Sequence, residues 1–552
     1  MEIVSTLVGA ILLDTRSIQK YVFSCNQLKT NIGASHLIDT IFTSTMMDVL
    51  KASGLNMPDV SWKETEKLCM QEDSHIQCEV AYIGGGNMLI LVREQEELDK
   101  NLSVCRKIVS AWSTRLLIEA PGLHVGAAVG GLDIAEEKFK NSLDILYEQL
   151  KKNQNTIFPQ VDLPYTGLTV ECDFSGKTAN IRNYDYLTGE VRMISAETQE
   201  KINSEKRLQQ SSEYKEQLND EYSFASELDT IGYKTGESYV CVVHIDGNNM
   251  GIKFSKCKDM QERKKLSQTV ATIVKKGFIH LLKKIINDYN LYKDKYLLLG
   301  EDEGKKILPI RPIIIGGDDV TFICPGRVGI QFAKWFIEDV NKEKLLDDDL
   351  YQRINEEFQE KADKGEEPDC VQQTMSCCGG VAIVPAKYPF YRAYELAEQL
   401  CSSAKKLSRK DDSSLIDFAV LHGQMTPQLS QLETWQYDAP CGYLHFGPYM
   451  IGKKEAPVSL DRLLSLRTRL FDSVPQNKVK KLREVLHQDE HSMQLFLENC
   501  QEMRELLQHK SGISDVSGLW ETNSLHERVT RYVDAIEIEK FVIPEWCEED
   551  EL

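Results

Sequence analysis

The segment IIIGGDDVTFIC sets two adjacent carboxylates, Asp318 and Asp319, directly behind Gly316 and Gly317 and between two apolar runs. Apolar runs joined through glycine predict a β-hairpin. Glycine there permits a tight turn and lets a ligand approach the backbone. Like charges side by side at a hairpin tip repel unless something positive stands beside them, and a divalent cation carrying a triphosphate meets that need. An ordinary acidic turn is the bland alternative. A second segment, SYVCVVHIDGNNMG, ends an apolar run at Asp246. Alone, Asp246 reads as a strand-ending turn residue; with the hairpin it supplies a third carboxylate.

The chain carries this pattern twice. VAYIGGGNMLILV aligns with PIIIGGDDVTFIC so that Gly84 and Gly85 match Gly316 and Gly317, while Gly86 and Asn87 fall where Asp318 and Asp319 stand. GAILLDTRSIQKY ends its apolar run at Asp14, and Asp14 precedes Gly86 by the same 72 positions that separate Asp246 from Asp318. LHVGAAVGGL and SCCGGVAIVP then follow as Gly-containing strand candidates. Matched order and spacing predict a duplicated domain, with the acidic hairpin kept in the second copy and lost in the first.

The elements that must position these residues follow from periodicity. Leu266, Val270, Ile273, Val274, Phe278, Leu281, Leu282 and Ile285 have helical spacing. VGIQFAKWFIEDVNK and FYRAYELAEQLCSSAKK are further helix candidates. The order β-α-β-β-α-β predicts an α+β chain with two ferredoxin-like (βαββαβ) palm domains. These span 1–135 and 236–430. A helical or irregular region, 136–235, lies between them, and its run KINSEKRLQQSSEYKEQ reads as a solvated helix. Residues 431–552 read as a helical domain of amphipathic segments (LDRLLSLRTRLF, KVKKLREVLHQ, SMQLFLENCQEMRELLQ) with a frayed acidic tail, EWCEEDEL.

In a palm the sheet brings Asp246 to the hairpin. Asp246, Asp318 and Asp319 then suit two Mg²⁺ (or Mn²⁺) ions, one lowering the pKa of an attacking 3′-hydroxyl and the other neutralising the leaving pyrophosphate. The turn of Gly247, Asn248, Asn249 and Gly251 offers backbone N–H groups to phosphates. Lys405 and Lys406 close the last helix of the copy; they reach the phosphates or simply complement the helix dipole. His244 reads as a core histidine, and Cys377 with Cys378 as small core filler. GEDEGKK lacks the spacing of a Walker A loop.

Bulk composition narrows the function class. A net charge of −20 disfavours a generic nucleic-acid coat, which needs clustered Lys and Arg. The start, MEIVSTLVGAILLDTRS, has no basic region or cleavage site and reads as a strand. No apolar stretch reaches the roughly 18 residues of a membrane span, so no membrane role is expected. The 15 cysteines form no C-x-x-C pair and suit reduced thiols in a cytoplasm.

The chain resembles the large polymerase-like subunit of type III CRISPR effector complexes. The residues that carry the resemblance are YVFSCNQLKTNIGASHLI, PYTGLTVECD, HIDGNNMG, IGGDDV, GGVAIVPAKYPFYRAYELAEQLCSSAK and IDFAVLHG, running to about residue 425. The resemblance implies two facing palms, one keeping the acidic hairpin, and synthesis of cyclic oligoadenylate from ATP in antiviral defence. It implies that Asp246, Asp318 and Asp319 bind Mg²⁺, that Lys405 contacts the triphosphate, and that Ser35 helps hold a second nucleotide at the first palm, beside Gly84 and Gly85. Three departures stand out. No His-Asp dipeptide occurs, so the family's nuclease domain is not expected. The zinc cysteines between the palms are reduced to Cys172, so no structural zinc is expected. Asn248 stands where many relatives carry Asp, which weakens a metal site if that side chain is a ligand. Alternatives are a scaffold subunit bound to RNA-guided partners or an RNA activator, and a diguanylate-cyclase-like enzyme. Base preference, a single chain or a homodimer as the active unit, and product ring size stay open.

Overall fold

The computed structural model describes residues 7–25, 27–93, 97–155, 165–184, 190–210, 214–232, 238–293, 295–302, 304–363, 370–423, 428–511, 515–523 and 527–546. Two sheet units organise it. In the first, β1 (Leu7–Arg16) is followed by helix α1 (Leu28–Thr40), the hairpin β2 (Cys78–Gly84) and β3 (Asn87–Val92), helix α2 (Leu98–Glu119), β4 (His124–Asp133) and helix α3 (Glu136–Gln154). The sheet order is β2-β3-β1-β4. Helix α3 packs on β4 and β1, so the first unit continues past residue 135.

The second unit repeats the order. It comprises β5 (Tyr239–Gly247), helices α5 (Met250–Ser255) and α6 (Met260–Asn287), the hairpin β6 (Arg311–Gly316) and β7 (Asp319–Pro325), helix α7 (Gly329–Val340), β8 (Cys377–Pro385), helix α8 (Phe390–Ser408) and β9 (Leu415–Val420). Its sheet runs β6-β7-β5-β8-β9, with a short sixth strand, β10 (Tyr449–Met450), at the edge. β5, the central strand, is an unbroken buried run from Val240 to Ile245, paired on both sides. That continuity explains its near-uniform hydrophobicity. The β8–β9 pair is parallel, so this second sheet is of mixed type.

Helix α8 lies on β8 because Gly380 there leaves room. A Cβ on Gly380 would stand 1.9 Å from the Ala397 carbonyl oxygen, inside the helix backbone. One on Gly379 would meet only side-chain carbons at 3.3–3.4 Å.

Helix α4 (Ala196–Gln210), expected to be solvated, is instead a buried element. Lys201, Glu197 and Thr198 are buried, and the Gly33 Cα lies against the Lys201 backbone. The Lys201 ammonium is satisfied inside by the Tyr21 carbonyl (2.6 Å), Ser24 Oγ (2.7 Å) and Glu197. The sequence suggested solvation because these residues are polar; mutual pairing is what permits their burial. The next expected positions, 211–213, lie outside the described residues.

The units are joined by buried contacts. Lys264 on α6 donates to Glu79 on β2 at 2.9 Å, both essentially buried. Phe23 stacks on Tyr394 of α8 with centroids 4.2 Å apart. Beyond β9, four helices (Leu460–Ser473, Gln476–Leu486, Glu490–Glu498, Gln501–Ser511) form the expected helical region. They accompany a small sheet built from Asp438–Ala439, Gly442–Tyr443, Arg528–Val529 and Glu521–Thr522, which periodicity did not indicate. This region is tied to β9 by buried His445, held between Asp417 (2.9 Å) and Asp534 (2.7 Å). The tail begins docked, with Trp546 edge-on to Trp335 at 4.6 Å; residues 547–552 lie outside the described set. Among the described residues, no helix is long and apolar enough to cross a membrane.

Gly380→Ala should cost about 1–3 kcal/mol of stability by forcing α8 off the sheet, while Gly379→Ala should cost less. Denaturant unfolding of both variants checks this.

Candidate functional site

The register of β5 against β7 creates the site. Asp319 is the direct cross-strand partner of Asp246. The β6–β7 hairpin closes with Gly316 opposite Asp319, leaving Gly317 and Asp318 as a two-residue turn. Gly317 has φ 60°, the left-handed conformation that a tight hairpin turn demands of its first central residue. Gly247 donates its N–H to the Asp318 carbonyl at 3.2 Å. A Cβ on Gly247 would lie 2.9 Å from that of Asp318. The glycine after Asp246 is therefore needed for the hairpin tip to close over it.

Asp246, Asp318 and Asp319 thus share one end of the sheet, and their charges work against each other. Burial, then Asp246, then Asp319 push the Asp318 carboxyl up to about 7. Burial and Asp246 push Asp319 up to about 8. Asp319 Oδ1 is sealed from solvent without a hydrogen-bond partner. Lys405, from the last turn of α8, places its ammonium on Asp246 Oδ2 and donates to the Gly247 carbonyl at 3.0 Å. Burial works against that charge, but Asp246 holds the Lys405 ammonium above its ordinary pKa.

Two neighbours escaped the sequence reading. His244, set aside as core, is buried and stands 3.3 Å from Asp319 Oδ1, with Thr321 Oγ1 on its Nδ1 at 3.1 Å. Burial lowers its pKa, so it faces Asp319 as a neutral ring. Glu398, two helical turns before Lys405, adds negative charge to the field on Asp319. Its spacing from Lys405 was the available signal.

The DGNN turn divides its work. Asn248 is turned into the interior, donating to Ser408 Oγ at 2.8 Å and the Ser413 carbonyl at 3.1 Å. Asn249, at φ 53°, donates to the Cys370 carbonyl and to Asp412. Behind them the fully buried Lys253 pairs with Asp412 at 3.4 Å and donates to the Asn248 carbonyl at 2.9 Å. The structure therefore does not bring the Asn248 and Asn249 side chains to the carboxylates; they brace the turn. Gly251 is exposed with open space around it, and half-buried Gly316 also has open space beside its Cα. Lys406 points to solvent.

The first unit repeats the geometry without the charges. Asn87 is the cross-strand partner of Asp14, as Asp319 is of Asp246. Its turn residues, Gly85 and Gly86, have φ 57° and 77°. The two hairpin tips touch: a Cβ on Gly317 would stand 3.1 Å from Gly85 N. Beside the contact lies a cleft of about 100 Å³ lined by Tyr82, Gly84, Asn87, Phe254, Ser267 and Asp318, among others. Gly84 and Gly85 thus come to the second hairpin. Ser35 is half-buried on α1, a helix that packs against β6.

Comparison with known proteins bears on the second unit. Residues 239–414 match the sequence profile of the Cas10/Cmr2 second palm domain. This region is similar to a Cas10/Cmr2 second palm. Solved structures similar to the whole chain include a Csm1-Csm4 cassette with AMPPNP (14% identity, covering 86% of this chain and 64% of that one, TM-score 0.41). A Csm1-Csm4 cassette with cA4 is similar at 14% identity, 89% and 66% coverage and TM-score 0.39. Csm1 in T.onnurineus is similar at 14% identity, 97% and 70% coverage and TM-score 0.46. The chain spans about two thirds of the length of these structures. No curated protein matches it.

The second palm's donor set fits a divalent cation in chemistry: three hard carboxylates, mutually repelling, with one sealed oxygen left unpartnered. Among the described residues, no three His, Cys, Asp or Glu side chains stand as a ready-made metal cluster. In this structure the Lys405 ammonium stands on Asp246.

Because Asp318 and Asp319 are raised in the fold, the unfolded chain binds fewer protons between pH about 4 and about 8. Stability of the metal-free protein should therefore fall as pH rises through that window. The Asp318→Asn/Asp319→Asn double variant should show a flatter profile in thermal melts taken in chelator.

Proposed function

We propose that the chain is a palm-type nucleotidyltransferase that joins nucleoside triphosphates, with the second palm as catalyst and the first unit as its nucleotide-holding partner. The observation that carries this reading is the side-by-side register of Asp246 and Asp319, with Asp318 at the turn and a lysine beside them. The two sheets are read as a duplicated ferredoxin-like palm, since each runs hairpin, first strand, later strand in the same antiparallel order. The choice of ATP and a cyclic oligoadenylate product rests on the resemblance in sequence and on the Cas10/Cmr2 profile match.

Asp246, Asp318 and Asp319 would hold Mg²⁺, which would supply charge for triphosphate binding and for activation of a hydroxyl nucleophile. The chain's own residues do the rest. Gly247 lets the hairpin close, so that Asp318 sits over the end of β5. Lys405 presents an ammonium where phosphate oxygens would gather. Neutral His244 keeps Asp319 flanked without neutralising it. Lys253 and Asn248 brace the turn from behind. The cleft between the tips, at about 100 Å³, is below the ~300–1,000 Å³ of drug-sized ligand pockets, so it would take only part of a nucleotide.

Incubation with Mg²⁺ and each nucleoside triphosphate, resolved by mass spectrometry, should give a pyrophosphate-releasing product that Asp318→Ala/Asp319→Ala abolishes. The double variant should keep its fold, because both carboxylates sit at the end of the sheet, Asp318 on the turn and Asp319 at the strand's first position, where they repel their neighbours. Turnover retained in that variant would move the active site elsewhere. Assembly with guide RNA and partner subunits of a type III complex is a separate proposal; co-purification would support it and an RNA-free monomer or dimer would oppose it.

A further inference from the structure

The two copies differ at a helix end in the same sense as they differ at the hairpin tip. In the second palm, Lys405 reaches from the end of α8 to Asp246 Oδ2 and to the Gly247 carbonyl. In the first unit, Gln154 reaches from the end of α3 to Asp14 Oδ2, its Nε2 donating at 2.7 Å. Each donor ends the helix that follows β8 or β4, and each meets the carboxylate on the central strand. Only the charge differs. An ammonium stands where the hairpin carries Asp318 and Asp319; a neutral amide stands where it carries Gly86 and Asn87.

Complementing the helix dipole does not explain this difference. Helix α3 also has lysines in its last turn, Lys151 and Lys152, and both point to solvent while Gln154 takes the carboxylate. The dipole is thus served in both copies. What tracks the hairpin's charge is the one side chain laid on the strand carboxylate.

We propose that Lys405 is a resident counter-ion of the carboxylate set, holding Asp246 in the metal-free chain and giving way to a divalent cation. This rests on the metal-dependent reading above. An ammonium and a divalent cation compete for the same Asp246 oxygen. Exchange also releases the Gly247 carbonyl, a hard oxygen donor, and frees the ammonium for an anionic group such as a triphosphate. Arrival of the cation and readiness for phosphate are thereby one event.

The test uses the full-length chain, with Lys405→Gln copying the first unit and Lys405→Arg retaining the charge. Mn²⁺ alone is titrated by calorimetry and by electron paramagnetic resonance, and melts are recorded in chelator. Lys405→Gln should bind Mn²⁺ roughly three- to tenfold more tightly than wild type, the scale of one partly buried ion pair. It should melt lower in chelator and recover on Mn²⁺ addition, and Lys405→Arg should track wild type. Equal or weaker Mn²⁺ binding by Lys405→Gln overturns the counter-ion role while leaving the metal site standing. Absence of Mn²⁺ binding in wild type and both variants overturns the metal-site reading and the proposal together.

Discussion

The pairing of β5 with β7 forces like charges into one place, and the surrounding structure answers that constraint. Once the strands adopt their register, Asp246 and Asp319 are cross-strand neighbours, a destabilising pair for two anions. They are held there because β5 is also paired on its other side, with Cys378 opposite Asp246. Neither carboxylate can leave without breaking ladders in a fully buried strand. The repulsion is met locally by proton uptake on Asp318 and Asp319 and by the Lys405 ammonium. Behind the turn, the buried Lys253–Asp412 pair fixes the backbone so that the strain is not relieved by movement of the loop.

The first unit shows what the same scaffold looks like without that constraint. Asp14 keeps the strand carboxylate, and burial raises its pKa, but its neighbour is the neutral Asn87 and its donor a neutral amide. The hairpin there takes a turn with two glycines in left-handed conformation, needing no side chain at its tip. The tips meet at Gly85 and Gly317, matched positions where both copies keep glycine.

Much of this was legible in the sequence where the signal was local or repeated. The Gly-Gly-Asp-Asp hairpin, the strand ending at Asp246 and the matched 72-residue spacing all reflect periodicity and turn chemistry, which act over a few residues. The placement of Asn87 opposite Asp14 followed from the same alignment. What escaped depended on packing between distant elements. Gln154 meets Asp14, and Glu398 nears Asp319, only because glycines let helices lie close on the sheets. Helix α4 looked solvated because a polar sequence does not announce that its lysine and glutamate will be buried together. Asn248 looked like a changed ligand until its amide was found tying the turn to the Ser408–Ser413 corner.

The contact between Gly317 and Gly85 links two halves of one polypeptide. A tip-to-tip contact made within a chain has an effective concentration set by the fold, so dilution cannot separate its members as it separates two subunits. The pair is also tied in shape. A Cβ on Gly317 would press on the Gly85 backbone, so the acidic hairpin has little room for bulk at this point. The uncharged hairpin thus remains a wall of the cleft, one the protein can shift but never lose.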